Sequence, residues 1–337
     1  MKGILLVNLG SPKSTSVEDV RIYLREFLMD KRVIDVPWII RKLIVELAIL
    51  PKRPKESAKA YQSIWWDEGS PLVVISERIT QKIKKSINNP VALAMRYQQP
   101  SIEKGLKELE EQGVTETLVI PLYPQYAMST TETVVEKAKE IQKKRFPKMH
   151  LSFLPPFYKD EEYLDLLTKN IKTKLPKNFD LLIFSYHGLP ERHIFKTDIT
   201  KTCRLDNSCC FEKELPSHSY CYRHQCYYVT EQIKKRLGLE DSKVMQTFQS
   251  RLGKDPWLKP YTDYTLKNLS SKGIKKIAIV APAFVSDCLE TLEELAVENK
   301  EYFIENGGIE YNYLECLNED DNWIQWLINK INNYTNN

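Results

Sequence analysis

The chain has 337 residues, which corresponds to two domains at the usual figure of about 150 residues each. Its 49 basic and 45 acidic residues leave a formal charge of +4. This balance argues against a protein that coats nucleic acid, because phosphate binding needs clustered, uncompensated Lys and Arg. No run of about 18 apolar residues occurs, so we expect no segment to span a bilayer. The start, MKGILLVNLGSP, predicts a first strand and not a secretion signal, and we therefore expect a cytoplasmic protein.

Four short, continuous apolar runs predict strands that are covered on both faces of a sheet. They lie at 4–7, 117–122, 181–184 and 277–280, and they lead into NLGSP, YPQY, SYHGLP and APAF. Ligands of open α/β sheets bind beyond the carboxyl ends of the strands. These four loops are therefore the first places where we expect chemistry.

Helices are predicted between the strands. Thr15 and Glu18 predict a capping box ahead of a helix that continues to Leu28. Apolar residues at helical spacing predict further helices at 101–112, 130–144, 160–173, 225–237, 257–271, 288–303 and 321–333.

Four of the eleven glycines follow a helix-like segment and precede a strand-like one: Gly113, Gly238, Gly273 and Gly307. A glycine just past a helix can adopt the left-handed conformation, and the chain then turns into the next strand. Repeated helix–Gly–strand units predict an α/β fold with parallel sheets flanked by helices. The Pro-rich LPPFYKD predicts a domain boundary, which gives domains at 1–152 and 153–316 and a C-terminal helix at 317–337 that packs back on the first domain.

Glycine-rich phosphate cradles are absent from the sequence, since neither GxGxxG nor GxxxxGK[ST] occurs. A nucleotide cofactor is therefore not expected. Nucleic acid is not expected as a partner either, because of the balanced charge.

His187 follows the strand at 181–184, within SYHGLPER. A lone histidine is more often structural than catalytic, and that interpretation stays open. Its position at the carboxyl end of a strand, beside a glycine that allows close backbone approach, favours a functional role.

Three carboxylates follow another strand, in PAFVSDCLETLEEL: Asp287, Glu290 and Glu294. Their spacing of i, i+3 and i+7 predicts one helical face. Capping by Ser286 or Asp287, together with the helix dipole, would also account for acids in a first turn. Carboxylates opposite the imidazole of His187 suit a divalent metal of the iron–zinc kind, or proton transfer with a bound substrate.

Eight short motifs follow one another along nearly the whole chain: LLVNLGSP (5–12), YLREFL (23–28), GSPL (69–72), AMRY (94–97), PLYPQYAMSTT (121–131), SYHGLP, GKDPWLKP and FVSDCLETLEEL. Trp257 lies in GKDPWLKP and by itself is either a core residue or the wall of an aromatic ligand site. Together and in this order, the motifs resemble those of the ferrochelatases, the enzymes that insert ferrous iron into protoporphyrin.

The resemblance implies two Rossmann-like domains of the chelatase kind, with a porphyrin cleft between them. It assigns the metal-binding, proton-accepting histidine to His187 and the catalytic, metal-binding glutamate to Glu290. Cys288 stands where some relatives have a second histidine. The residues on segments that line or border the cleft are Arg96, Tyr123, Tyr126, Trp257, Asp287 and Glu294.

The implied reaction inserts Fe2+ into protoporphyrin IX to form protohaem, the last step of haem synthesis, and releases two protons. An imidazole would take the pyrrole protons or hold the metal, and a carboxylate would balance charge and relay protons. The alternatives are a cobalt or nickel chelatase, a coproporphyrin chelatase, and a tetrapyrrole carrier without turnover.

Five of the seven cysteines lie within 203–226. In a cytoplasmic protein we expect such cysteines to be free thiols or metal ligands and not disulfides. Some microbial ferrochelatases carry an iron–sulfur cluster on such a segment, although no CxxC zinc pair is present here. The four ligands of a [2Fe–2S] cluster would be Cys203, Cys221, Cys226 and Cys210, or Cys209 in place of Cys210. Zinc and no metal are the alternatives, and Cys288 and Cys316 are expected to be buried thiols.

The segment PWIIRKLIVELAIL at 37–50 is apolar around most of its circumference but too short to span a membrane. One interpretation is a helix that is buried on several sides. The other is an apolar lip where porphyrin enters, in peripheral contact with a membrane surface. Lys52, Arg53 and Lys55 follow the segment and would meet anionic lipid.

Overall fold

The chain divides into two compact units in the computed structural model, which describes residues 1–211, 215–251, 253 and 255–336. Lys254 of the GKDPWLKP motif lies outside the described residues. The first unit comprises Met1–Tyr123, Met128–Pro155 and Asn318–Asn337, and the second comprises Pro124–Ala127 and Pro156–Leu317.

The first unit is built on four parallel strands in the order β2-β1-β3-β4. The strands are β1 (Lys2–Asn8), β2 (Val91–Met95), β3 (Glu116–Pro121) and β4 (His150–Phe153). Its α-helices are Val17–Leu28, Trp38–Leu43, Arg53–Ile64, Pro71–Ser86, Ile102–Glu111, Thr133–Arg145 and Asp321–Asn336. Two π-helices, Ile44–Ile49 and Met128–Glu132, directly follow or precede α-helices.

The second unit repeats this strand order, as β6-β5-β7-β8, and its strands are again parallel. The strands are β5 (Leu181–His187), β6 (Val244–Gln249), β7 (Lys276–Val280) and β8 (Glu310–Leu314). The α-helices are Glu161–Lys174, Glu191–Thr197, Asn207–Phe211, Tyr222–Leu237, Thr262–Leu269 and Asn299–Glu305. A π-helix covers Glu290–Glu298, and short 3₁₀ turns cover Pro216–Ser219, Asp241–Lys243 and Ser270–Lys272.

Two parallel sheets with helices between their strands confirm the predicted α/β fold class. Each of the four predicted strands is present, with bounds that differ by a few residues from the apolar runs. The four glycines expected to end helices all have positive φ, between 66° and 91°. Local signals in the sequence were therefore sufficient to predict this alternation.

The helix predicted at 257–271 begins only at Thr262. Trp257 pairs instead with Pro190 in an isolated antiparallel bridge, and Pro260 has no N–H with which to continue a helix. The residues before Thr262 therefore form a loop that packs against the segment following β5.

The helix predicted at 288–303 is a π-helix, Glu290–Glu298, that continues as an α-helix to Glu305. Asp287 precedes this helix. The prediction that Asp287, Glu290 and Glu294 share one α-helical face is therefore wrong, because the helix starts later and has the wider π geometry, with hydrogen bonds from i to i+5.

Each unit has an apolar core that fixes its strand ends. In the first unit, Leu5 of β1 and Val119 of β3 are buried together with Leu106. In the second, Ile183 of β5 is buried together with Leu295 of the π-helix. Full burial of such a side chain contributes about 1.5–3 kcal/mol, so the packing holds the loops at the strand ends in place.

The segment at 37–50 leaves several large apolar side chains exposed, and the interpretation as a helix buried on several sides is wrong. Arg41, Val45 and Leu50 are buried, and Arg41 Nη1 donates to the carbonyl oxygens of Ile34 and Val36 at 3.1 and 3.0 Å. Five large apolar side chains, here called the apolar patch, are 49–70% exposed: Trp38, Ile39, Ile40, Leu43 and Leu47. In the part of the chain that the structure describes, no helix is long and apolar enough to cross a bilayer.

Candidate active site

His187 is the last residue of β5, at the carboxyl edge of the second sheet. Its Nδ1 lies 2.7 Å from the carbonyl oxygen of Gly188. A carbonyl oxygen can only accept, so Nδ1 carries the proton and Nε2 presents a lone pair. The ring is partly exposed and meets the ring of Phe284 edge-on, with 6.5 Å between centroids. Such an imidazole can accept a proton or bind a metal.

Gly188 allows the chain to turn tightly after His187. Its N–H donates to the carbonyl oxygen of Gln249 at 2.8 Å, and a Cβ at this position would lie 2.7 Å from that oxygen. It would also lie 3.2 Å from Cε3 of Trp257. Only glycine fits here, and the indole of Trp257 consequently packs against the backbone that positions His187.

Glu290 and Glu294 lie on the π-helix that follows β7. Gln249 Nε2 donates to the carbonyl oxygen of Glu290 at 2.8 Å and to Oε2 of Glu294 at 3.3 Å. Ser250 N–H donates to Glu294 Oε1 at 2.8 Å, and the Ser250 hydroxyl donates to Oε2. The helix start and the ends of β5 and β6 are thus joined by hydrogen bonds, which brings Glu290 and Glu294 to the same sheet edge as His187.

The carboxyl group of Glu294 binds its proton more tightly than an ordinary glutamate does. Burial raises the pKa of Glu294 to about 7, and the nearby charge of Glu290 acts in the same direction. Hydrogen bonds from Ser250 and Gln249 oppose this change. A carboxyl that titrates near neutral pH can both donate and accept protons under ordinary conditions.

Asp287 is buried, and its carboxylate accepts hydrogen bonds from two neighbouring elements. Its Oδ1 accepts from the hydroxyls of Thr291 at 2.8 Å and Tyr313 at 2.5 Å, and the residue is 3% exposed. These contacts tie the π-helix to β8. A place for Asp287 in the porphyrin cleft stays a prediction.

Arg96 and Tyr123 belong to the first unit. Arg96 Nη2 lies 2.5 Å from Asp30 Oδ2, and its Nε donates to Thr133 Oγ1 at 2.7 Å. The pKa of Asp30 is lowered from its ordinary value. Burial by itself would raise it, but the hydrogen bond from Thr133 and the charge of Arg96 are among the contacts that outweigh burial. Tyr123 is 7% exposed within the apolar core. Their cleft roles stay predictions.

Tyr126 belongs to the second unit and contacts the end of the cysteine-rich segment. Its N–H donates to Gln225 Oε1 at 2.7 Å, and its ring meets that of Tyr220 edge-on at 5.7 Å. The PLYPQYAMSTT motif is therefore divided between the two units, and Tyr126, from its middle, contacts this segment.

All seven cysteines are free thiols, and Cys288 and Cys316 are buried as predicted. Hydrogen bonds from Cys221, and more weakly from Cys209, lower the pKa of Cys203 to about 6. Arg223 Nη1 donates to Cys210 Sγ at 2.8 Å. Within the described ranges, which omit 212–214, no three His, Cys, Asp or Glu side chains form a group that could hold a metal ion. The thiols of the cysteine-rich segment lie near one another, but in their present orientations they do not form a set of metal ligands.

Gln249 and Ser250 are site residues that the sequence analysis did not single out. The signal was present, because Gln-Ser follows the strand-like KVMQTF, and polar residues at strand ends were the criterion used elsewhere. Neither residue type is a usual acid, base or metal ligand at neutral pH, and this is why they were passed over.

Two solved structures share the fold of this chain. SirB from Bacillus subtilis with Fe3+ superimposes with a TM-score of 0.55 at 14% identity, over 98% of this chain and 94% of that one. The sirohydrochlorin chelatase SirB from Bacillus subtilis subspecies spizizenii, in complex with cobalt, gives a TM-score of 0.54 at 12% identity, over 98% and 93%. At such identities the likeness establishes the fold alone.

Sequence comparison establishes the family. The ferrochelatase profile matches residues 1–335. The chain is 50% identical over 325 residues to the ferrochelatase of Pseudomonas syringae pv. syringae (strain B728a), covering 96% of this chain and 95% of the relative. It is 48% identical over 329 residues to that of Stutzerimonas stutzeri (strain A1501), covering 97% and 96%. The chain belongs to the ferrochelatase family of metal-inserting lyases, which confirms the resemblance seen in the motifs.

Glu294→Gln should remove part of the pH dependence of stability. Because the pKa of Glu294 is raised from 4.5 to about 7 in the folded chain, the folded state binds this proton more tightly than the unfolded state. Stability is therefore lost as the pH rises through this interval. Between pH 5 and 7.5 we expect the wild-type free energy of unfolding to fall by about 1 kcal/mol or more beyond that of Glu294→Gln, measured by urea denaturation.

Glu310→Gln on β8, whose carboxyl is partly exposed, is the control and should keep the wild-type decline. An equal decline in Glu294→Gln and the wild type would contradict the assignment of the raised pKa to Glu294.

Proposed function

We propose that the chain inserts Fe2+ into protoporphyrin IX to form protohaem and releases two protons. The observation that carries this proposal is the match to the ferrochelatase profile over 1–335. The chemistry at the carboxyl edge of the second sheet, where His187 and Glu290 lie, agrees with it. Family membership favours this reaction over a cobalt or nickel chelatase and over a carrier without turnover.

His187 and Glu290 are the residues to which we assign the chemistry. The two pyrrole N–H protons must leave before iron can occupy the centre of the ring, and Nε2 of His187 has the free lone pair that can accept one. The carboxylate of Glu290 offsets the charge of the incoming Fe2+. Glu294 lies one π-turn further on and titrates near neutral pH, which suits the passage of protons to solvent.

Trp257 is proposed as part of the wall against which the porphyrin packs. Its indole is partly exposed and contacts the backbone beside His187. A rigid aromatic surface there would hold the macrocycle at a fixed distance from the imidazole, since stacked aromatic pairs contribute energy beyond the area they bury.

His187→Ala should lower turnover by about 100- to 10,000-fold, the usual contribution of a positioned acid–base group. Glu290→Gln keeps the shape and removes the charge, so it should also lose turnover with little change in porphyrin affinity. The double variant should be scarcely slower than the worse single one, because groups that act as a unit are not additive. The assay is insertion of Zn2+, followed by fluorescence, and of Fe2+ without oxygen, on protoporphyrin and coproporphyrin.

His150→Ala, at an exposed position that starts β4, is the matched control and should keep wild-type turnover. If His187→Ala retains more than about a tenth of wild-type insertion, the role given to His187 is wrong. Wild-type protein that binds porphyrin but inserts neither metal would refute the enzymatic proposal as a whole.

We further propose that the apolar patch contacts a lipid surface. Its five large side chains are 49–70% exposed. A group of large apolar side chains that are all exposed on one short segment is unusual for a protein surface that faces water. Lys52 and Arg53 follow the patch and are exposed, so that anionic headgroups would be attracted to the same side. Peripheral contact of this kind would let a poorly soluble porphyrin pass from membrane to enzyme.

Replacing Ile39 and Leu47 together by Gln should weaken binding to phosphatidylglycerol-containing vesicles by about tenfold or more, because two exposed apolar anchors are lost. The KM for porphyrin supplied in vesicles should rise, and the melting temperature should stay within a few degrees because both side chains are solvent-exposed. Ile309→Gln removes an equally exposed side chain from the second unit and is the control. If the variant with both Ile39 and Leu47 replaced sediments with the vesicles as fully as the wild type and Ile309→Gln do, the patch is excluded as a membrane contact.

We propose that the cysteine-rich segment binds a [2Fe–2S] cluster through Cys203, Cys210, Cys221 and Cys226. The density of thiols supports this, as does the cation of Arg223 beside Cys210, which would stabilise thiolate ligands. As the side chains stand they do not form a ligand set, so the thiols would have to rotate to bind. Such a cluster would supply redox-active iron separate from the substrate iron, and no step of the insertion is assigned to it.

Protein purified without oxygen should be brown and contain equal amounts of iron and acid-labile sulfide if this proposal is right. Cys221→Ser should abolish the visible absorption, because a ligand is lost, whereas Cys316→Ser, a buried thiol elsewhere, should keep it. Colourless wild-type protein, or colour that survives in Cys221→Ser, would contradict the proposal.

A further inference from the structure

Gln249 is a buried amide at the centre of the hydrogen bonds that join the strand ends. It is the last residue of β6 and is 3% exposed. In the parallel pairing of β5 with β6 it stands opposite His187. Its backbone carbonyl accepts from Gly188 N–H at 2.8 Å. The main chain of Gln249 thus fixes the turn that follows His187.

The side-chain oxygen of Gln249 has a defined partner, and this orients the amide. Ser185 Oγ, on β5, donates to Gln249 Oε1 at 2.8 Å, and Thr262 Oγ1 lies 2.9 Å from the same hydroxyl. Because Oε1 accepts from Ser185, the NH2 group of the amide must point the other way. Its orientation is therefore set by β5 and by the start of the helix Thr262–Leu269.

The NH2 group holds the beginning of the π-helix. It donates to the carbonyl oxygen of Glu290 at 2.8 Å and to the carboxylate of Glu294 at 3.3 Å. Two hydrogens are available, so both bonds can be made at once. One side chain therefore connects β5, through Ser185, to the backbone of the residue to which we assign the catalytic carboxylate.

We propose that Gln249 is a positioning residue that sets the place of the Glu290 carboxylate relative to the imidazole of His187. This inference rests on the proposed function of that site. Gln249 takes no part in proton transfer, since an amide is neither an acid nor a base at neutral pH. It acts by holding the first turn of the π-helix to the strand that ends in His187.

The test compares Gln249→Met with Gln246→Met. Both replace a buried glutamine of β6 by an apolar side chain of similar length, and Gln246 Oε1 accepts a comparable hydrogen bond from Thr230 at 2.9 Å. A displacement of about 1 Å in a catalytic group can cost on the order of 100-fold in rate. We expect Gln249→Met to lower the kcat of Zn2+ insertion by about 10- to 100-fold with the KM for porphyrin unchanged within about twofold. Gln246→Met should stay within about twofold of wild-type kcat.

A second measurement tests how firmly the π-helix is held and does not depend on enzymatic activity. Amide hydrogen exchange over 290–298 should be faster in Gln249→Met than in the wild type and unchanged in Gln246→Met, because only the first variant frees the start of the π-helix. If the wild type inserts no metal, the proposed function fails, and hydrogen exchange still decides whether Gln249 holds the helix.

Three outcomes would overturn the inference: Gln249→Met with more than half of wild-type kcat, an equal loss of kcat in Gln246→Met, or unchanged exchange over 290–298. If Gln249→Met does not fold, Gln249→Glu takes its place. It keeps the acceptor for Ser185 and presents oxygen in place of the NH2 group to Glu290 and Glu294. It should also lower kcat by about tenfold or more, and a wild-type kcat in Gln249→Glu would equally overturn the inference.

Discussion

Parallel pairing of β5 with β6 is the constraint on which the candidate site depends. Parallel strands end at the same edge of a sheet, so the pairing of His187 with Gln249 brings an imidazole and an amide side by side. The same edge receives the loop after β7, whose helix starts at Glu290. Strand pairing therefore brings residues that are far apart along the chain to one place, where hydrogen bonds join them.

The π-helix determines how the acids are presented at this edge. With hydrogen bonds from i to i+5, a π-turn has more residues than an α-turn, so Glu290 and Glu294 come close to one side of the helix. Glu290 raises the pKa of Glu294 in addition to the effect of burial. Asp287 precedes this helix, and its carboxylate accepts hydrogen bonds from the hydroxyls of Thr291 and Tyr313. Helix geometry, and not acid content alone, selects which carboxylates are available.

The strands and helix-ending glycines could be predicted from the sequence because they are local features. A buried parallel strand shows as a short apolar run, and a helix C-terminus shows as a glycine before the next run. His187 and Glu290 were singled out as candidates by the same reasoning, since both follow predicted strands. Family motifs then added roles that no spacing rule supplies.

Gln249 and the π-helix could not be predicted in this way, for two different physical reasons. That β6 is the neighbour of β5 is a matter of tertiary packing, so the sequence does not indicate that Gln249 stands beside His187. The π-helix differs from an α-helix by one residue per turn, and its apolar positions, such as Leu295, also fit an α-helical pattern. The sequence pattern therefore does not distinguish a π-helix from an α-helix here, and the start at Glu290 is seen in the structure alone.

Cys288, which directly precedes the first turn of the helix that carries Glu290, is a buried thiol. The thiol is 5% exposed, and burial, followed by the charge of Glu290, raises the pKa of Cys288 well above its ordinary value. It therefore stays protonated at neutral pH, and a hydrogen-bond interaction with Glu290 acts in the same direction. A neutral thiol binds iron poorly, because the thiolate is the ligand form. Cys288 therefore places a neutral thiol beside Glu290 and no thiolate that would compete for a metal ion.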